Sequence, residues 1–218
     1  MKQTRRRAAG VAVLGVLLPL WCIGDAGAGA GRTEREAGFF LGLGIHASLI
    51  GAEDPPPGDE GAGLYFDEAG PGLSIGLGYA FTPGFALKLA VAGARHETNQ
   101  PSIEAAVSTA VLEAQVRLAP REPACPYLIG GLGGAAIRVD TGGYDSEVSG
   151  GVAVLGAGML LDLTANLHLD LSARLDLINW DTVKVIREAP GGAEVRLEAP
   201  VDDSGSAAKL EAGLVWRF

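Results

Sequence analysis

The sequence predicts an all-β fold, a closed antiparallel up-and-down barrel of about eight strands, and three observations point there. The stretch from Ala207 to Phe218 puts Leu210, Ala212, Leu214, Trp216 and Phe218 on one face and Lys209, Glu211, Gly213, Val215 and Arg217 on the other. That is the period-two pattern of a strand with one apolar and one polar face. The pattern stops on an aromatic residue with nothing after it to cover the strand, and an uncovered edge invites aggregation unless the sheet closes on itself. Glycine supplies 33 of 218 residues without a collagen-like period, in a chain that is 48% hydrophobic. After residue 30 no apolar run is long enough for a membrane-spanning helix, so any membrane insertion must use strands.

The first 30 residues read as a cleaved secretory signal and residues 31–218 as one barrel domain. Lys2, Arg5, Arg6 and Arg7 make a basic start, Ala8 to Ile23 an apolar run, and Ala26-Gly27-Ala28-Gly29-Ala30 a small-residue cleavage region. Cys22 follows Leu20-Trp21, without the small residue a lipoprotein signal places before its cysteine. Removing residues 1–30 takes away Lys2, Arg5, Arg6, Arg7 and Asp25, so 13 basic residues face 25 acidic ones and the net charge moves from −9 to −12. Such acidity excludes phosphate-backbone binding as a function, because that needs clustered Lys and Arg. Only Cys125 remains, so no intramolecular disulfide holds the fold.

Taken in order, the chain alternates strand and connection. The first strand, Phe39 to Ile50, sets Leu41, Leu43, Ile45, Ala47 and Leu49 against Gly42, Gly44, His46 and Ser48. The acidic, proline-containing stretch from Gly51 to Gly70 reads as a long loop. Leu73, Ile75, Leu77, Tyr79 and Phe81 line the second strand, and Thr82-Pro83-Gly84 turns into a third carrying Phe85, Leu87, Leu89 and Val91. A loop is expected around His96 to Pro101, and the fourth strand ends with Leu112, Ala114, Val116 and Leu118 opposite Glu113, Gln115 and Arg117. A turn from Ala119 to Pro126 leads to a fifth strand, Tyr127 to Val139, whose faces the weak alternation leaves unassigned. Residues Asp140 to Ser149 read as loop and Gly151 to Asp162 as the sixth strand. Leu167, Leu169, Leu171, Ala173, Leu175 and Leu177 against His168, Asp170, Ser172, Arg174 and Asp176 make the clearest strand, the seventh. Thr182 to Ser206 reads as a second long loop before the last strand.

An alternating barrel can be soluble, with its apolar face inward, or membrane-spanning, with that face outward. The terminal Phe218, the near-pure leucine face of Leu167 to Leu177 and the small residues Gly42, Gly44, Gly76, Gly78, Ala90 and Ala92 on the polar face favour the membrane. A barrel of about eight strands has room inside only for side chains. On these residues the chain resembles the small bacterial outer-membrane β-barrels of the OmpA/OmpX-like type. The resemblance implies an outer-membrane location reached through the periplasm, short periplasmic turns, and recognition of Leu214, Trp216 and Phe218 by the barrel assembly machinery. Tyr79, Phe81, Phe85, Trp216 and Phe218 are the expected interfacial girdle. The other partners expected are outer-membrane lipid and lipopolysaccharide, with the protein a monomer.

Candidate chemistry is sparse. Lys88, Glu113, Arg117, Asp170, Arg174, Asp176, Lys209, Glu211 and Arg217 all fall on the inner face, and antiparallel pairing of the last two strands brings Arg174 near Glu211 and Asp176 near Lys209. Buried charges must be paired, so these read as a network filling the lumen, with an ion path as the alternative. His46 and Ser48, two apart on one face, raise a lipid-modifying hydrolase, but no third group to orient the imidazole can be placed. Neither catalytic residue, cofactor nor metal site is expected, the three histidines having no ligand spacing. Gly131-Leu132-Gly133-Gly134-Ala135-Ala136 matches the loose dinucleotide fingerprint, yet Ile137-Arg138-Val139 continues as strand where that motif needs a helix. The carboxylates Glu53, Asp54, Asp59, Glu60, Asp67 and Glu68 of the first loop suit divalent cations bridging to lipopolysaccharide phosphates.

Overall fold

Each alternating segment becomes a strand, and each strand pairs antiparallel with the next. The structure, a computed structural model, describes residues 37–51, 69–98, 103–140, 144–188 and 194–218. It contains β1 (Gly38–Gly51), β2 (Gly70–Thr82), β3 (Phe85–Glu97), β4 (Glu104–Arg117), β5 (Ala124–Asp140), β6 (Tyr144–Asp162), β7 (Leu167–Glu188) and β8 (Glu194–Arg217). β1 also pairs with β8, from Phe40 opposite Arg217 to Gly51 opposite Ser206, and the sheet is a closed barrel. The expected signal segment, residues 1–30, and the carboxylates of the first loop lie outside the described residues.

Register fixes the barrel's width. A line perpendicular to the strands from Gly51 passes Ser206, Leu177, Ala153, Leu132, Leu112, Leu89 and Leu77, and returns to β1 at Leu41, ten residues below its start. Eight strands with this stagger tilt by about 40° and enclose an interior that side chains alone can fill. Part of the same line is a hoop of leucines, Leu41, Leu77, Leu89, Leu112 and Leu132, on the outer face. Outward residues are apolar and open: Leu73 is 69% and Leu132 72% exposed, while inward Glu113 is 1% exposed. The apolar face therefore points out and the charged face in, the reverse of a soluble barrel.

One end is ringed by aromatics. Phe39 meets Tyr79 at 4.9 Å between ring centroids, Tyr79 meets Phe81 at 5.0 Å, and Phe81 lies 6.0 Å from Phe85, with Trp216 and Phe218 exposed at the same end. Phe39, absent from the sequence-predicted girdle, belongs to it because it pairs directly with Tyr79. The short β2–β3, β4–β5 and β6–β7 turns share this end, closed by bonds such as Arg117 N to Gly84 O, 2.8 Å, and Leu163 N to Leu167 O, 3.0 Å.

The opposite end departs from the sequence reading. Thr182 to Ser206 is not a long loop: β7 runs on to Glu188 and β8 begins at Glu194, paired from Thr182↔Pro200 to Glu188↔Glu194. Likewise β6 starts at Tyr144 inside the stretch read as loop, and β3 carries His96 before it ends at Glu97. Past the apolar belt neither face has to be apolar, so the hydrophobic signal fades while backbone pairing continues. On the outer face at this level Arg138, Glu147, Lys184 and Glu198 are successive cross-strand partners. Cys125, expected in a turn, is the second residue of β5 and fully buried. β5 also gains faces: Cys125, Tyr127, Ile129 and Ala135 point in, and Leu128 and Leu132 point out.

Depth in the apolar belt sets the tolerance of this surface. Leu132→Lys is expected to lower refolding stability in lipid by about 2–4 kcal/mol. Ile186→Lys, on the outer face of the β7 extension, should change it by less than about 1 kcal/mol. Urea titration of refolded protein in vesicles reads both.

Candidate functional site

The candidate site is the lumen, and its side chains are stacked along the axis. At the aromatic-ringed end Phe40, Ala80, Ala86, Cys125, Tyr127, Ile129, Leu160 and Val215 form a buried apolar cluster. Arg117 lies over the Phe40 ring, 6.0 Å from its centroid, and its Nη2 donates to Gln115 Oε1 at 3.3 Å. Along β7 the inward order is then Asp170, Arg174 and Asp176, followed by Ile178 and Trp180. Those last two join Val111, Ala135, Val152 and Val154 in a second buried apolar cluster toward the other end.

Between the clusters the charges are paired. Glu113 accepts from Arg174 Nη2 and sits 3.0 Å from Lys88 Nζ, so one carboxylate serves two cations. Arg174 Nη1 lies 3.7 Å from Glu211 Oε2, and Glu211 Oε1 accepts from Ser74 Oγ at 2.9 Å. Lys209 Nζ lies 2.6 Å from Asp176 and donates to Thr109 Oγ1 at 3.1 Å. Tyr127 donates its hydroxyl to Asp170. Four cations (Lys88, Arg117, Arg174, Lys209) face four carboxylates (Glu113, Asp170, Asp176, Glu211) in this interior, and each is at least largely buried. Pairing of this kind is what makes buried charge tolerable, since an uncompensated one costs several kcal/mol.

Interior glycines make room for the rings that pack across neighbouring strands. A Cβ on Gly78 would overlap Phe40, and one on Gly158 would overlap the Tyr127 ring. The cavity left among Lys88, Arg117, Asp170, Arg174 and Glu211 measures about 20 Å³, room for a single water.

Comparison with known proteins identifies the family. The family model of the outer membrane protein beta-barrel domain matches residues 18–218. The chain belongs to this family. No curated protein matches the sequence closely enough to count as a relative. Among solved structures, neisserial surface protein A is similar with a TM-score of 0.60 and 20% identity, covering 84% of this chain and 99% of its own. A major outer membrane protein of Thermus thermophilus gives 0.57 and 14%, covering 84% and 99%. The attachment invasion locus protein Ail of Yersinia pestis gives 0.52 and 14%, with the same coverage. At these identities the likeness is one of fold.

In this outer-membrane barrel the sequence-predicted residues separate into groups. Lys88, Glu113, Asp170, Arg174, Asp176, Lys209 and Glu211 converge in the mid-lumen, while Arg117 lies near the ringed end. Arg217 sits half-buried at the rim, its backbone N bonded to Asn166 O at 2.8 Å, outside the central network. His168 is at the same end, its Nδ1 2.7 Å from Asp162. His46 and Ser48 are buried on β1, and neither His46 ring nitrogen has a hydrogen-bond partner among the described residues, so no carboxylate orients that imidazole. The glycine run at 131–136 lies within β5. Among the described residues no group of three His, Cys, Asp or Glu is placed to hold a metal. Outside the belt, hydrogen bonding to Glu147 at 2.7 Å raises the pKa of Arg138 above its ordinary value.

Sequence reasoning missed Tyr127, Ser74 and Thr109. Ser74 and Thr109 are short polar residues on inward positions, and only cross-barrel distance reveals their partners. Tyr127 was hidden because glycines on both faces of β5 erase its alternation.

Glu113 is the hub, so its loss and that of a peripheral partner should differ. Glu113→Gln is expected to cost about 3–5 kcal/mol in refolding stability, because Lys88 and Arg174 lose their shared counter-charge. A double-mutant cycle should give a coupling of Glu113 to Arg174 that exceeds the Arg174–Glu211 coupling. Additive losses would remove the network from the account of stability.

Proposed function

We propose that this outer-membrane barrel has a structural and surface-interacting role, with a closed lumen and no catalytic step. The amino-terminal segment directs export and is removed, and the last strand, with Leu214, Trp216 and Phe218, presents the chain to the assembly machinery. The observation that carries the reading is the filled mid-lumen. Among the described residues the charges between the two apolar clusters are spent on one another, and the cavity they line measures about 20 Å³, which supports a closed lumen. Specific contacts then belong to the outer surface and to the end opposite the aromatic ring, where β5 to β8 extend and where connecting loops carry specificity in rigid scaffolds.

Refolded protein in a planar bilayer is expected to be silent, after gel mobility has shown a heat-modifiable barrel. Steady conductance that changes in Arg174→Ala would replace this reading with that of a small channel.

Export and assembly are checked separately. Removing Phe218 should lower the yield of heat-modifiable barrel in the outer membrane several-fold while leaving refolding in detergent unchanged. Equal yields in cells would show that the last residue carries no assembly signal.

A further inference from the structure

Large and small residues are unevenly distributed over the outer face of β1 to β4. In one register row Ile45, Leu73, Gly93 and Ser108 are successive neighbours, so the surface steps from two large aliphatic side chains to none and then a short one. In the row beyond, Ala47 faces Pro71 and Arg95 faces Ala106. Together these small residues floor a shallow apolar trough, walled by Ile45, Leu73 and Leu210 at 65%, 69% and 63% exposure. The fold does not require the gap at Gly93: a Cβ there would find its nearest heavy atom, Val107 O, at 3.8 Å.

Arg95 stands at one end of the trough, exposed and outward on the same face of β3 as Gly93. No described residue pairs with it, whereas Arg138 on β5 is taken by Glu147 at 2.7 Å. β3 runs from Phe85 in the aromatic ring to Arg95, ten residues on. At about 3.3 Å per residue and about 40° of tilt that is about 25 Å of height, the thickness of a barrel's apolar band. The guanidinium therefore lies at the boundary opposite the ring, on the external side if the short turns are periplasmic.

We infer that this trough holds one phosphorylated, acylated glycolipid of the outer leaflet, its phosphate on Arg95 and an acyl chain along Gly93, Ser108 and Ala106. The inference rests on the reading of the chain as an outer-membrane barrel. A guanidinium binds phosphate through two parallel hydrogen bonds. Small residues let an apolar partner approach the backbone closely, which is how surfaces gain contact within a bilayer, where no hydrophobic drive separates one apolar group from another. Charge at the boundary and a smooth floor below it match a ligand with an anionic head and a straight chain.

The experiment refolds the mature chain in micelles containing bisphosphorylated lipid A, or phosphatidylglycerol in a parallel sample, and counts retained lipid by native mass spectrometry. One lipid A per barrel is expected, with retention lowered about fivefold or more in Arg95→Ala, which removes the charge-assisted contact. Gly93→Leu, which fills the trough and keeps Arg95, should lower it similarly, and Lys184→Ala should not. Retention by Arg95→Ala and Gly93→Leu undiminished from that of the parent chain, or retention of phosphatidylglycerol by the parent equal to that of lipid A, would overturn the site and leave the closed barrel standing. A parent chain without heat-modifiable mobility would instead overturn the barrel reading itself.

Discussion

Closure of the ladder between β1 and β8 is the constraint on which everything else depends. In hydrocarbon no water satisfies a free backbone N–H or C=O, so a sheet can span only if it has no edge within the bilayer. The pairing from Phe40↔Arg217 to Gly51↔Ser206 removes that edge. It ties β1 to β8, and the barrel is not closed until these two strands have met. The stagger needed for closure fixes diameter, and diameter in turn decides what the interior can contain.

That interior is narrow, and its composition follows. Rings such as Phe40 and Tyr127 reach across to glycines of neighbouring strands, and the remaining space goes to charges arranged as partners. Glu113 between Lys88 and Arg174 gains from two cations at once, while the two cations are held apart by the carboxylate they share. A charged interior under an apolar exterior is thus compatible with a solid barrel, because the charges satisfy one another rather than water.

Beyond the apolar belt the rules change. β7 and β8 stay paired past Trp180 and Asp203, from Thr182↔Pro200 to Glu188↔Glu194, and polar residues such as Lys184 and Glu198 face each other there. Strand pairing persists without the solvent contrast that sets the pattern lower down. This explains why the reading of residues 182–206 as loop failed while residues 167–177 were unmistakable. It also explains why His96, assigned to a loop from the polar residues after it, is the penultimate residue of β3 and buried.

Within the belt the sequence by itself determined the strands, the faces of all but β5, and the polarity of the barrel, because lipid and a crowded lumen impose opposite demands on alternate residues. It also placed Arg174 near Glu211 and Asp176 near Lys209, since those residues lie on adjacent strands whose order the chain dictates. Only the tertiary structure decided that Arg174 turns foremost to Glu113, three strands away in sequence, and that Lys88 shares that carboxylate. The faces of β5, the inward Tyr127 and the trough below Arg95 were likewise decided there. Contacts across a closed barrel depend on stagger and curvature, which no local period encodes, and glycine, lacking a side chain, leaves no mark of the face on which it lies.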